Sequence, residues 1–157
     1  MKLLIRQRIF SWTDNYDVYD AGGRPRYAVE SDLFTIGYRI RVYDKKTGRE
    51  MGLIRERLLH LMPTFEIEIG GRVCGTVRKA FSLFSPRYSI DCLDWEVSGN
   101  LFGWDYEVSQ GGRTVMTISR EPLSLSDTYT LNYEDPAAEM PGLLLVLAID
   151  AANCSDH

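Results

Sequence analysis

The residues whose types could do chemistry are few, and their spacing gives them little to work with. His60 lies in the apolar stretch Leu58-Leu59-His60-Leu61-Met62, and the other histidine, His157, is the last residue. A catalytic imidazole needs a nucleophile and an orienting carboxylate beside it. An apolar flank reads first as a core or half-buried strand histidine, with a hydrolase-like use of His60 as the weakest option. Cys74, Cys92 and Cys154 show no CxxC spacing, so free thiols are expected, buried on strands in the case of Cys74 and Cys92. Asp14, Asp17 and Asp20 recur every third residue, unlike the alternating oxygens of a calcium loop, and read as solvated turn residues. Glu66, Glu68 and Glu107 face away from the apolar side of their segments. No P-loop, dinucleotide fingerprint, Gly-x-Ser-x-Gly elbow or zinc spacing occurs. The chain is read as a non-enzyme without cofactor or metal.

Charge gives the stronger signal. Between Tyr38 and Ile90 stand 11 basic residues against 5 acidic ones, whereas the rest of the chain carries 7 against 17. The basic set is Arg39, Arg41, Lys45, Lys46, Arg49, Arg55, Arg57, Arg72, Arg78, Lys79 and Arg87. One reading is an anion-binding face for lipid headgroups or nucleic-acid phosphates. The plainer reading, which ranks first, is solvent-facing strand positions that discourage edge pairing. Arginine outnumbers lysine, which leans toward oxyanion contacts. Nucleic acid ranks below lipid because the segment lacks the regular aromatic interleaving of single-strand binders.

A length of 157 residues fits one domain, 1–157, and a net charge of -4 excludes a general polyanion binder. The amino-terminal Met1-Lys2-Leu3-Leu4-Ile5-Arg6-Gln7-Arg8 lacks the apolar core of a signal peptide. The apolar run Leu143 to Ile149 is too short to span a bilayer. With the unpaired cysteines, these features imply a cytoplasmic protein, at most peripheral to a membrane.

The elements that must position these residues are hairpins, because periodicity is two along most of the chain. Phe34-Ile36-Tyr38-Ile40-Val42 alternates with polar residues, and a loop over Lys45 to Gly48 would pair Val42 with Met51 and Ile40 with Leu53. Around Gly70-Gly71, a three-residue loop pairs Ile69 with Val73 and Phe65 with Val77. The unit returns 41 residues later around Gly111-Gly112, where the same rule sets Tyr106 against Ile118 and Val108 against Met116. A looser copy runs from Tyr16 to Val29, and the recurrence reads as a duplicated β unit. A loop over Ser98 to Leu101 would oppose Val97 to Phe102 and Trp95 to Trp104. Many short strands at close spacing indicate a sandwich or a barrel.

One segment breaks the pattern. Pro141 to Ala152 is rich in helix formers and has no polar face before Asp150, so it predicts a helix buried on all sides. Asp135-Pro136 supplies a cap and a first residue for it. Asp150, in the last turn, opposes the helix macrodipole and is read as the point where the helix leaves the barrel, a ligand role being secondary.

Arg6-Gln7-Arg8-Ile9-Phe10, Met62-Pro63-Thr64-Phe65-Glu66-Ile67, the Gly-Arg tips, Asp127-Thr128-Tyr129 and the closing Leu143 to Ala151 together resemble the LURP-one-related family over nearly the whole chain, closest to its small bacterial members. The resemblance implies a tubby C-terminal-like fold: a closed antiparallel β-barrel of about twelve strands around a central hydrophobic helix. Phospholipid scramblases are thought to share that fold, tubby proteins bind phosphoinositide headgroups through basic surface residues, and plant members are linked to defence. The functional expectation by analogy is a binding module for anionic phospholipid headgroups or a membrane surface. The alternative is a structural barrel that meets another protein. A filled barrel also implies a site on its outside.

Overall fold

In a computed structural model, residues 1–7, 15–32, 37–57, 62–80, 87–101, 103, 105–120 and 127–154 are described. His60, Phe102 and Trp104 lie outside them. Among the described residues twelve strands precede one α-helix. They are β1 (Lys2–Gln7), β2 (Tyr16–Asp20), β3 (Pro25–Asp32), β4 (Arg39–Asp44), β5 (Glu50–Glu56) and β6 (Thr64–Ile69). They continue with β7 (Arg72–Ala80), β8 (Arg87–Cys92), β9 (Trp95–Asn100), β10 (Asp105–Gln110), β11 (Arg113–Arg120) and β12 (Asp127–Tyr133). A 3-10 turn (Pro136–Ala138) leads into α1 (Glu139–Cys154).

Every pairing is antiparallel, in the order β8-β7-β6-β5-β4-β3-β2-β1-β12-β11-β10-β9. The pairing of β1 with β12 rolls the sheet into a barrel, which removes most exposed edges. One seam remains. β8 and β9 follow each other across Leu93-Asp94 yet share no ladder, so the barrel is nearly closed. The tight turns after β2, β4, β6, β8 and β10, and the entrance to α1, share one rim, here the turn rim. The far rim holds the other strand ends and the C-terminus of α1.

Alternation dictates what faces inward. Leu3, Ile5, Val42, Ile54, Ile67 and Val108 are all buried to 1% exposure or less. They close on α1, whose residues Leu143 to Ile149 are equally buried. Each such aliphatic side chain contributes about 1.5–3 kcal/mol on leaving water, which is why a helix without a polar face is stable there. Asp135 Oδ1 accepts from the Ala137 amide at 2.9 Å and Pro136 stands first, as the cap predicts.

Three details of register differ from the sequence reading. Gly70 (φ 60) and Gly71 (φ 79) form a two-residue turn that pairs Ile69 with Arg72, and Gly111 (φ 58) and Gly112 (φ 79) do the same for Gln110 and Arg113. Paired positive φ suits the tight turns that match strand twist. A β-bulge next to each turn then restores Phe65 to Val77, Tyr106 to Ile118 and Val108 to Met116 as expected. In the β4–β5 hairpin a bulge at Met51 sets Val42 against Gly52 and Ile40 against Ile54. Gly52 is needed because a Cβ there would lie 2.5 Å from Leu144 Cδ1. Trp95 pairs with Gln110 and Val97 with Val108, because β9 runs on to Asn100.

Candidate functional site

The strands β4 to β8 that carry the basic segment are contiguous in the sheet, but they do not gather its eleven residues into one patch. Arg39, Arg41, Arg55, Arg57 and Arg78 alternate with inward residues and stand on the outer face. Arg39 lies directly across from Arg55, and Arg55 from Glu66. Toward the far rim, the Arg57 amide donates to the Thr64 carbonyl at 2.8 Å, and Thr64 pairs with Arg78. Lys45, Lys46, Arg49 and Arg72 sit instead on the turn rim. Asp44 Oδ1 accepts from the amides of Thr47 (3.0 Å) and Lys46 (2.8 Å), which hold its carboxyl below the usual range. Arg87 is placed by its backbone, opposite Ala80.

Lys79 corrects the expectation of a solvent-facing cation. It follows Val77 by two residues, faces the interior and is 5% exposed.

Acidic neighbours temper the outer face. Arg57 Nε lies 3.2 Å from Glu66, an Arg55 terminal nitrogen 3.8 Å from Glu68, and Arg41 Nε 3.4 Å from Glu50. Lys45, on the rim, reaches Asp17 at 3.4 Å. Among the described residues Arg39 and Arg78 have no ion pair. The Nε atoms of Arg39 and Arg55 are buried and have no hydrogen-bond partner there. Like charges directly opposite each other oppose pairing of their strands. A small oxyanion between the two guanidiniums would relieve that repulsion and satisfy both donors.

The sequence reading missed a second polar centre. Glu139, 6% exposed in the first turn of α1, accepts from the hydroxyls of Tyr27 and Tyr133 and from Arg26 Nε at 2.6 Å. Burial first, and the hydrogen bond to the carboxylate second, push the Tyr27 phenol up to about 12. The same two causes raise Tyr133. A negative charge fits the positive end of the helix dipole, so the cluster pins α1 to the wall. An acidic residue three positions beyond Pro136 was the available signal. Tyr133 is only six residues away, but the other two partners, Tyr27 and Arg26, lie 112 and 113 residues away in sequence and gave none.

Cys92 is fully buried, and burial, with Cys74 and Asp91 nearby, pushes its thiol up to about 12. Cys92 thus fits the expectation of a buried free thiol, whereas Cys74 is only half-buried, its thiol raised by burial as well. Asp150 does not mark the helix's exit. Ala151 and Ala152 beyond it are buried, and α1 continues to Cys154. Among the described residues no three or more His, Cys, Asp and Glu are grouped to hold a metal, and no described helix is long and apolar enough to cross a membrane.

Comparison with known proteins bears on the whole chain. An Arabidopsis thaliana protein of known crystal structure superposes with a TM-score of 0.63 over 96% of this chain and 91% of that one, at 16% identity, which shows a shared fold. The uncharacterized protein YxjI of Bacillus subtilis (strain 168) is 28% identical over 159 residues, covering 100% of this chain and 98% of that protein. The LURP-one-related family model matches residues 1–150, and with twelve strands around one apolar helix the chain belongs to that family.

Proposed function

We propose that the outer face of β4 to β7 docks anionic phospholipid headgroups, and that the protein acts by binding and without catalysis, peripheral to a membrane. The observation that carries this reading is the facing pair Arg39 and Arg55, each with a buried Nε unpartnered among the described residues; Arg78, without an ion pair among those residues, stands two strands from Arg55 on the same face. The headgroup phosphate supplies the acceptor geometry that a guanidinium fork matches. Three ion pairs on the same face make the attraction modest and sensitive to salt.

Co-sedimentation with neutral and with anionic vesicles, at low and at physiological salt, tests this. The expected result is selective binding to anionic vesicles that weakens with salt and is lost in an Arg39→Glu/Arg55→Glu/Arg78→Glu variant. Absence of binding to anionic vesicles at low salt overturns it. That outcome favours the second reading, a protein-interaction barrel, for which Val73 (53% exposed) and Leu93 (48% exposed) offer apolar contact at the turn rim.

A further inference from the structure

The interior of the barrel is not apolar throughout. From Leu143 to Ile149 the helix α1 buries only apolar side chains, but its last turns bring Asp150 and Asn153 to the far rim, where the wall is also polar. Lys79 and Tyr88 are cross-strand partners on β7 and β8. Tyr106, on β10, is 4% exposed and points inward like Val108 two residues on. Asn153 Nδ2 donates to the Leu101 carbonyl at 3.3 Å, which fixes the end of the helix against the β9–β10 connection.

Among the buried polar atoms at this rim, the Tyr106 hydroxyl and Asn153 Oδ1 have no hydrogen-bond partner within the described residues. A buried group left unbonded is costly, so such atoms mark a place where something else binds. Burial, then the nearby Asp150 carboxylate and Tyr88, raise the Tyr106 phenol, so it stays protonated and acts as a donor. Asn153 Oδ1 can only accept. Lys79, Tyr88 and Asp150 each engage other groups, and the two charges are of opposite sign, so the rim selects neither anions nor cations. The seam lies close by. Tyr88 stands on β8 beside the unpaired boundary with β9, and β9 alone separates that boundary from β10.

We propose that the far rim is a binding site for a small uncharged molecule bearing an amide group, whose carbonyl accepts from Tyr106 Oη and whose N–H donates to Asn153 Oδ1. An amide presents this acceptor and donor together, as the two orphaned atoms require. The site is separate from the outer arginine face and does not depend on it.

Saturation-transfer NMR with acetamide, N-methylacetamide and nicotinamide as probes, and acetate as the charged control, tests this on the intact protein. Transfer to at least one amide and not to acetate is expected from the wild type. It should fall at least fivefold in Tyr106→Phe, which removes one hydroxyl, and in Asn153→Ala. The Arg39→Glu/Arg55→Glu/Arg78→Glu variant should keep it, which separates this site from the outer face. If Tyr106→Phe does not fold, Asn153→Ala decides. No transfer to any amide, equal transfer to acetate, or transfer unchanged in both rim variants overturns the proposal. A crystal structure soaked with the best probe that shows only ordered water on Tyr106 Oη overturns it too.

Discussion

Glu139 brings a carboxylate into the barrel wall, and its neighbours decide whether that stabilises the fold. Two phenols and a guanidinium satisfy it, but the guanidinium belongs to Arg26, whose side chain is 49% exposed, while that of Glu139 is 8% exposed. Removing the two partners should therefore differ in cost. Glu139→Leu strands two buried hydroxyls and should lower stability by about 3–5 kcal/mol, the range for breaking a buried polar pair from one side. Arg26→Ala leaves both phenols on the carboxylate and loses a solvent-screened contact, so it should cost about 1 kcal/mol or less. Urea unfolding midpoints of the two variants check this order. The same cluster sets an alkaline limit. The Tyr27 phenol titrates near 10 when unfolded and at about 12 in the fold. Between those values unfolding releases a proton, so its contribution is complete below pH 10 and is lost as pH rises toward 12. Tyr133 and Cys92 shift in the same direction. The urea midpoint should fall across this window, and less steeply in Tyr27→Phe.

At the level of elements, the fit between β5 and α1 rests on an absent side chain. A Cβ on Gly52 would meet Leu144 Cδ1 at 2.5 Å, and Leu144 is fully enclosed, so Gly52→Val should overpack the wall and cost about 1–3 kcal/mol. Leu144→Ala should cost about 2–5 kcal/mol by leaving a cavity. Combined, the two should cost less than their sum, because the valine occupies space the leucine vacates. A double-mutant cycle in urea reads that coupling. This glycine also shows why the hairpins were legible and their registers were not. Alternation at Ile40, Val42 and Ile54 marks an inward face whatever the loop does. A bulge at Met51 depends on α1, a partner more than ninety residues away, and local pattern carries no trace of it. The Gly-Gly tips were misread for a related reason. A two-residue turn plus a bulge and a three-residue loop restore the same downstream pairs, so Phe65 with Val77 fits both. The helix needed no partner to be recognised, since an all-apolar run of its length has only one place to go.

For the whole molecule, the sequence made the charge asymmetry plain and left its geometry hidden. Five arginines share the outer face and four basic residues share the turn rim, yet Lys79 points inside, on the same face as Val77 two residues before it. Counting charges over a segment ignores that alternation. The polar far rim was equally hidden, since Tyr88 and Tyr106 come near each other only when the sheet has closed. The seam has a measurable signature of its own. Unladdered amides open more readily than laddered ones, so hydrogen exchange should be faster on the facing edges of β8 and β9 than in β1 and β12, which are paired on both sides. The order of elements has a further consequence, for synthesis. All twelve strands precede the helix that fills them, so a ribosome releases the entire wall before it releases the filling. Until α1 emerges, the inward faces of the strands have nothing apolar to close on, and strand pairing from β1 to β12 spans the whole barrel. The nascent chain therefore passes through a long interval as an unfilled sheet with its greasy side wet, and its need for a chaperone should end with the emergence of α1.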